Sequence, residues 1–210
     1  MWYARIGDDD RVEATPRARA HCAACGGEVA AKCGAIVTPH WAHVAREDCD
    51  DWSEVGTAWH RGWQECVEPS QREVVMGWHR ADLVTPLGYV IELQHSSISP
   101  DQIAAREAFY GPRMIWVFDA TDAFADDRLN LRQRDGYVSF RWKHPRKTIG
   151  ACVRRVYLDL GDGSVLRVRR VHTQAPCGGW GERGAKADLQ RWIASGFRVE
   201  PANATRSGRG

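Results

Sequence analysis

WHRADLVTPLGYVIELQ, residues 78–94, is the stretch on which the reading of the fold turns. Two short runs of strand-forming residues, RADLV and YVIELQ, flank a turn signal at Pro86 and Gly88. Strand alternation sets Glu92 and Gln94 on one face of the second run, with Tyr89, Ile91 and Leu93 pointing the other way into a core. A carboxylate inside so apolar a strand is costly unless it is paired or holds a metal. Glu92 alone reads equally well as a hydrogen-bonded core residue. Asp82 in the neighbouring run makes it half of a cation site.

The turn fixes whether those two carboxylates meet. A two-residue loop at Pro86-Leu87 sets Asp82 across from Ile91, and it needs φ > 0 at its first position, which proline cannot adopt. A three-residue loop, Pro86-Leu87-Gly88, makes a type I turn closed by a left-handed glycine. Thr85 then pairs with Tyr89, and Asp82 falls opposite Glu92 with Cβ atoms roughly 5 Å apart. Like charges so close call for a cation or a shared proton.

Outward from this hairpin, residues 53–119 read helix, strand, strand, strand, helix, strand. The first helix is expected from about Ser53 to Val67, with Trp59 and Trp63 on one face. REVVMGW is a third strand. Ser99, Pro100 and Gln102 form a capping box that opens a helix ending at Gly111-Pro112, and RMIWVFD is an apolar run suited to a central strand. Beyond it, YVSFRW, CVRRVYLDL and SVLRVRRV read as strands with a Gly-Asp-Gly turn, and residues 185–193 as a short helix.

Composition narrows the class. The chain has 210 residues, 43% hydrophobic and 27% charged, and no apolar run near the 18 residues of a membrane span. No membrane partner is expected. MWYARIGDDDRVEAT lacks an apolar signal segment, so a cytoplasmic location is expected. Net charge is only +2, yet between Arg128 and His172 twelve Arg or Lys face three Asp, a local excess of nine. Such a cluster suits a partner bearing phosphates, and Arg167, Arg169 and Arg170 are its candidate contacts.

Seven cysteines without a secretion signal point to metal binding before disulfides. Cys22-x-x-Cys25 supplies two thiolates on one turn, and PHWAHVAREDC supplies His40, His43 and Cys49, with Cys33 between. The preferred set is Cys22, Cys25, His43 and Cys49 around a structural Zn²⁺, with His40 as the substitute. The first twenty residues read as polar and loosely paired. Residues 21–50 carry too little apolar material to form a core unstapled, so the metal would supply folding energy.

Hydrolysis of a phosphodiester needs a hard cation, Mg²⁺ or Mn²⁺, held by a few carboxylates. Asp82 and Glu92 meet that need, and Gln94 is placed to orient water or phosphate. His60 and Glu54 on the preceding helix can line the same cleft. Arg106 and Tyr110, i and i+4 on the following helix, can face a phosphate.

CAACGG, HWAH, CDDW, WHRGWQ, HRADLVTPLGYVIELQHSSIS, REAFY and IWVFD occur in the order in which they stand in CoiA-like competence nucleases, and over residues 22–119 the chain resembles that family. The resemblance implies an α/β fold with the α-β-β-β-α-β core and mixed sheet of the PD-(D/E)xK nuclease superfamily, preceded by a small zinc ribbon-like module. It implies an active site of Asp82, Glu92 and Gln94 with His60, and a further acidic residue at Glu73. Gln94 stands where relatives usually have lysine, and Ala58 where they often have an acid.

The expected organisation is therefore a zinc module at 1–52, a nuclease core at 53–125, a basic β-rich extension at 126–200 and a disordered tail at 201–210. The expected function is metal-dependent cleavage of nucleic acid, DNA before RNA. The alternatives are a nucleic-acid-binding module that has lost the chemistry, favoured by Ala58 and Gln94, and an RNA nuclease in defence.

Overall fold

A computed structural model describes residues 1–34, 38–45, 49, 52, 56–143, 147–172 and 177–196. Glu54, the expected start of the first helix at Ser53 and the tail at 201–210 lie outside the described residues. The chain is mixed α/β, mostly strand, with two sheets.

The first sheet is antiparallel, built from β1 (Tyr3–Ile6), β2 (Asp9–Glu13), β3 (Arg19–His21), β4 (Glu28–Lys32) and β5 (His40–His43), in the order β2-β1-β3-β4-β5. Residues 1–20 are thus not loosely paired: Tyr3 pairs with Glu13 and Ala4 with Val12, and Trp2 and Ala4 are buried. The module also has a core of its own, in which Ala4, Ala14, Ala20, Cys22 and Val29 surround Trp41. Alanines carry little weight in a hydrophobicity pattern, yet they let the strands pack closely on one indole, whose Nε1 donates to the Val12 carbonyl at 2.8 Å.

From Ala58 the elements run α1 (Ala58–Gln64), β6 (Arg72–Met76), β7 (His79–Val84), β8 (Val90–Gln94), α2 (Pro100–Tyr110) and β9 (Met114–Asp119). Helix α1 is shorter than expected because its cap is Thr57, whose hydroxyl accepts the His60 amide while His60 reaches back to Thr57. Next come α3 (Thr121–Ala125), β10 (Leu129–Gln133), β11 (Val138–Trp142), β12 (Arg155–Asp159), β13 (Ser164–His172), β14 (Gly178–Ala185) and α4 (Lys186–Ser195).

Of the fourteen strands among the described residues, nine form the second sheet, ordered β10-β11-β14-β13-β12-β9-β8-β7-β6. The pairs β8/β9 and β9/β12 are parallel and the others antiparallel. The basic strands after residue 126 therefore join the same sheet through β12. Residues on β8 and β9 are buried on both faces. Trp63 of α1 and Ile193 of α4 cover Leu83, Ile91, Leu93 and Val117 on one side. Ile103 of α2 lies with Trp116 and Phe118 on the other.

Candidate active site and metal centre

The β7–β8 hairpin closes as a three-residue loop. Gly88 donates to the Thr85 carbonyl at 2.8 Å and Thr85 to the Tyr89 carbonyl at 2.9 Å, and Gly88 has φ +72, a value open to glycine at little cost. Pairing of Leu83 with Ile91 and Val84 with Val90 places Asp82 opposite Glu92. On the other side, Arg72 pairs with Leu83 and Val74 with Ala81, which sets Glu73 opposite Asp82. Three carboxylates thus form a cross-strand row.

The ladder between β7 and β8 ends at Leu83 and Ile91, one position short of this row. Leu93 donates its amide to Asp82 Oδ2 at 2.8 Å, and its carbonyl meets His60 Nε2 at 3.1 Å. Leu93 is thus held on both sides, and the strands splay. The splay borders a small polar cavity lined by Glu73, Asp82, Glu92, Arg80, Arg106 and His60, together with Gln64, Trp2 and Trp52. Its volume of about 20 Å³ is room for one water or one dehydrated cation.

Charge in this cavity is nearly balanced. Arg106 Nη1 donates to Glu92 Oε2 at 3.0 Å, and Arg80 lies 3.9 Å from Glu73. Glu73 Oε2 also accepts the Trp2 and Tyr3 amides at 2.8 and 3.2 Å, so the start of the first module rests on it. Its φ of +44 is strained for a glutamate, a cost of about 1–3 kcal/mol, and such strain clusters at functional sites. Two guanidiniums thus face three carboxylates. Burial pushes the Asp82 carboxyl above its usual range and Glu73 adds to this, while His60, the Leu93 amide and Arg106 oppose it.

Several expectations from sequence change here. Arg106 is 4% exposed, paired to Glu92, and donates to the Trp52 carbonyl at 2.7 Å, so it is a buried partner of the acid and not a surface contact for phosphate. An arginine mid-helix reads as solvated until its partner strand is known. Tyr110 is half-buried and packs edge-on against Trp52 and Phe109. His60 borders the cavity, but Nδ1 accepts from the Thr57 cap and Nε2 meets the Leu93 carbonyl. These bonds engage both ring nitrogens and hold the ring against Leu93. Gln94 is buried, donates to the Ser96 carbonyl at 3.0 Å and does not border the cavity. Of the basic trio, Arg169 makes a two-pronged pair with Glu182 and Arg167 lies 3.8 Å from the same carboxylate, while Arg170 is exposed.

The cysteine cluster assembles as expected. Ligand atoms of Cys22, Cys25, His43 and Cys49 all lie within 4.8 Å of one another. Cys22 Sγ to Cys49 Sγ is 3.8 Å, the edge of a tetrahedron with bonds of about 2.3 Å, and Cys25 Sγ to His43 Nε2 is 3.3 Å. Burial raises the Cys22 pKa, but hydrogen bonds from the Cys25 and Ala24 backbone and the neighbouring thiols outweigh it, leaving the pKa below the usual thiol value. Elsewhere burial pushes Cys66 up to about 11 and Cys152 up to about 12, which makes them inert. Alternation on β5 decides between the histidines: His43 shares a face with buried Trp41, and His40 points the opposite way, with Nδ1 at 2.9 Å from the Thr38 carbonyl. Cys33 lies apart and bonds the Ala14 carbonyl. The set can bind a metal such as zinc.

All four of these ligands fall in a segment, residues 9–51, that matches the family model of competence protein CoiA, N-terminal domain. Over that segment the chain is CoiA-like. No curated protein and no solved structure matches the chain at a significant level. Just past the matched segment, Trp52, three residues after Cys49, accepts from Arg106 through its carbonyl and stacks on His79 at 3.2 Å between ring centroids. Among the described residues no helix is long and apolar enough to cross a membrane.

Proposed function

We propose that this protein is a metal-dependent nuclease of the CoiA-like kind, built on a PD-(D/E)xK core and acting on DNA in a competence-related role. The observation that carries this reading is the hairpin register that sets Asp82 opposite Glu92 at a polar cavity sized for one cation. A Mg²⁺ or Mn²⁺ held by Asp82 and Glu92 would polarise the phosphate and make water a better nucleophile at neutral pH. Asp82 holds its carboxylate in place through the Leu93 amide, and Arg106 fixes the rotamer of Glu92. His60 keeps the splayed strand from closing on them. Zinc on Cys22, Cys25, His43 and Cys49 is structural, since four protein ligands leave no position for a substrate. The exposed arginines of β13 give sequence-independent affinity for phosphates.

A binding module without chemistry is favoured by two observations: Arg106 already neutralises Glu92, and the Gln94 amide faces Ser96. The deciding assay is incubation with labelled single- and double-stranded DNA and RNA in Mg²⁺, Mn²⁺ or EDTA, beside Asp82→Ala. Cleavage of DNA that needs the cation and Asp82 supports the nuclease. Binding with no cleavage under any condition supports the module, and cleavage of RNA alone supports the third reading.

A further inference from the structure

A second concavity lies beside α4, on the sheet face where Trp63 and Ile193 cover Leu83, Ile91 and Leu93. It is a groove of about 590 Å³, and none of the residues lining it borders the acidic cavity. Strands β12, β13 and β14 form its floor, with α4 and the β7–β8 turn along its side.

Three aromatic side chains stand in the groove. Tyr89, Tyr157 and Trp192 are each half-buried against the core beneath, and Tyr89 meets Trp192 edge-on at 5.3 Å between ring centroids. Rings anchored below and open above form a stacking platform, which accepts any base because every base has a π-face.

Most charges lining the groove already have partners. Glu182 is held by Arg169, Asp188 by Arg191 and Arg183 by Asp162. Arg155 is different. It is exposed, stands two residues before Tyr157 on the same strand, lies 6.0 Å from the Tyr89 ring, and makes no ion pair among the described residues. A matched set of acids beside an unmatched guanidinium suits an anionic ligand.

Gly184 keeps the groove open. A Cβ at Gly179 or Gly181 would strike the β13 backbone, whereas at Gly184 it would meet nothing within 4 Å. Gly184 pairs with Val165, which also lines the groove. The packing of the chain does not require a glycine there, but close approach of a ligand to the strand does.

We propose that this groove anchors single-stranded DNA, with a base stacked among Tyr89, Tyr157 and Trp192 and a phosphate on Arg155. A duplex hides its base faces, so the groove selects single strands. The choice of DNA rests on the reading above; the contacts themselves involve neither the acidic cavity nor a cation.

The test is fluorescence anisotropy, over a range of salt and without Mg²⁺ or Mn²⁺, on labelled oligothymidylate, oligouridylate and a duplex, each of about 15 nucleotides or base pairs. Wild type should bind oligothymidylate about tenfold or more tighter than the duplex. Tyr157→Leu should weaken that binding by about 5- to 150-fold. Arg155→Gln should flatten the slope of log K against log salt by about 0.7, the share of one phosphate on a single strand. Gly184→Leu should melt no lower than wild type and still lose binding, because its side chain fills the groove and not the core. A strand carrying 5-iodouracil should photocrosslink to Tyr89, Tyr157 or Trp192. Folded Tyr157 and Gly184 variants that bind like wild type, a duplex bound equally well, or a preference for oligouridylate would overturn the proposal. Crosslinks confined to residues outside the groove would leave it to another occupant, such as residues 197–210 of the chain itself, and would overturn it too. Since no step needs the catalytic cation, none of these failures touches the cleavage reading, and absence of cleavage leaves the groove untouched.

Discussion

Arg106→Ala tests whether the cavity is a cation site, because the arginine and a metal compete to neutralise the same acid. Glu92 is 3% exposed and Arg106 4%, so truncating the guanidinium strands a buried carboxylate and frees the Trp52 carbonyl. Breaking one side of a buried pair costs about 3–5 kcal/mol. For a chain of this size each kcal/mol shifts the melting temperature by about 2–4 °C, so in EDTA the variant should melt about 6–20 °C below wild type. Magnesium at a hundred times its dissociation constant returns about 2.7 kcal/mol, so the variant should recover about 5–10 °C, more than wild type gains. The double variant Glu92→Gln with Arg106→Met, which removes both charges of the pair, should recover most of the loss without magnesium. Scanning calorimetry in EDTA and in Mg²⁺ reads all of these. A single variant that melts within about 2 °C of wild type in EDTA would refute the pair, and a large loss with no recovery in Mg²⁺ would refute the cation site.

Elemental analysis should find about one zinc per chain, and Cys22→Ser should release it and expose residues 1–52 to protease; a metal-free chain with an unchanged melting curve would count against the staple. Because Glu182 pairs with both Arg167 and Arg169, Glu182→Gln should tighten DNA binding and steepen its salt dependence, while joint neutralisation of Arg167, Arg169 and Arg170 should do the reverse for every sequence. Burial raises the Asp119 carboxyl, but Thr121 and His95 outweigh it and hold its pKa below the usual range. Its ionised form therefore contributes stability above the unfolded value of about 3.9 that is lost as pH falls through the folded value, and Asp119→Asn should flatten the acid side of a urea-midpoint profile.

Local chemistry made the hairpin legible, since proline forbids one loop and glycine completes the other, and register then follows by counting. The zinc set was legible for the same reason, and strand alternation separates His43 from His40 once β5 is assigned. What sequence does not reveal depends on distant partners or on the absence of side chains. Strand β14 begins GGWG, which carries no strand pattern, yet a Cβ at Gly179 would sit 1.9 Å from the Arg170 carbonyl, so close approach to β13 requires the glycine. The alanine-lined core of the first sheet gives no apolar pattern. Arg106 and Glu92 are fourteen residues apart, and His95 and Asp119 twenty-four, so neither pair is visible before the topology. The one available signal was that His95 and Asp119 end or follow runs already recognisable as buried strands.

Soaking crystals in Mn²⁺ and recording anomalous diffraction asks the central question with one map. A peak in the cavity within about 2.5 Å of carboxylate oxygens of both Asp82 and Glu92 is the predicted result. A map with no peak there, while the zinc cluster gives a clear one, would contradict the assignment of these two residues as the cation site.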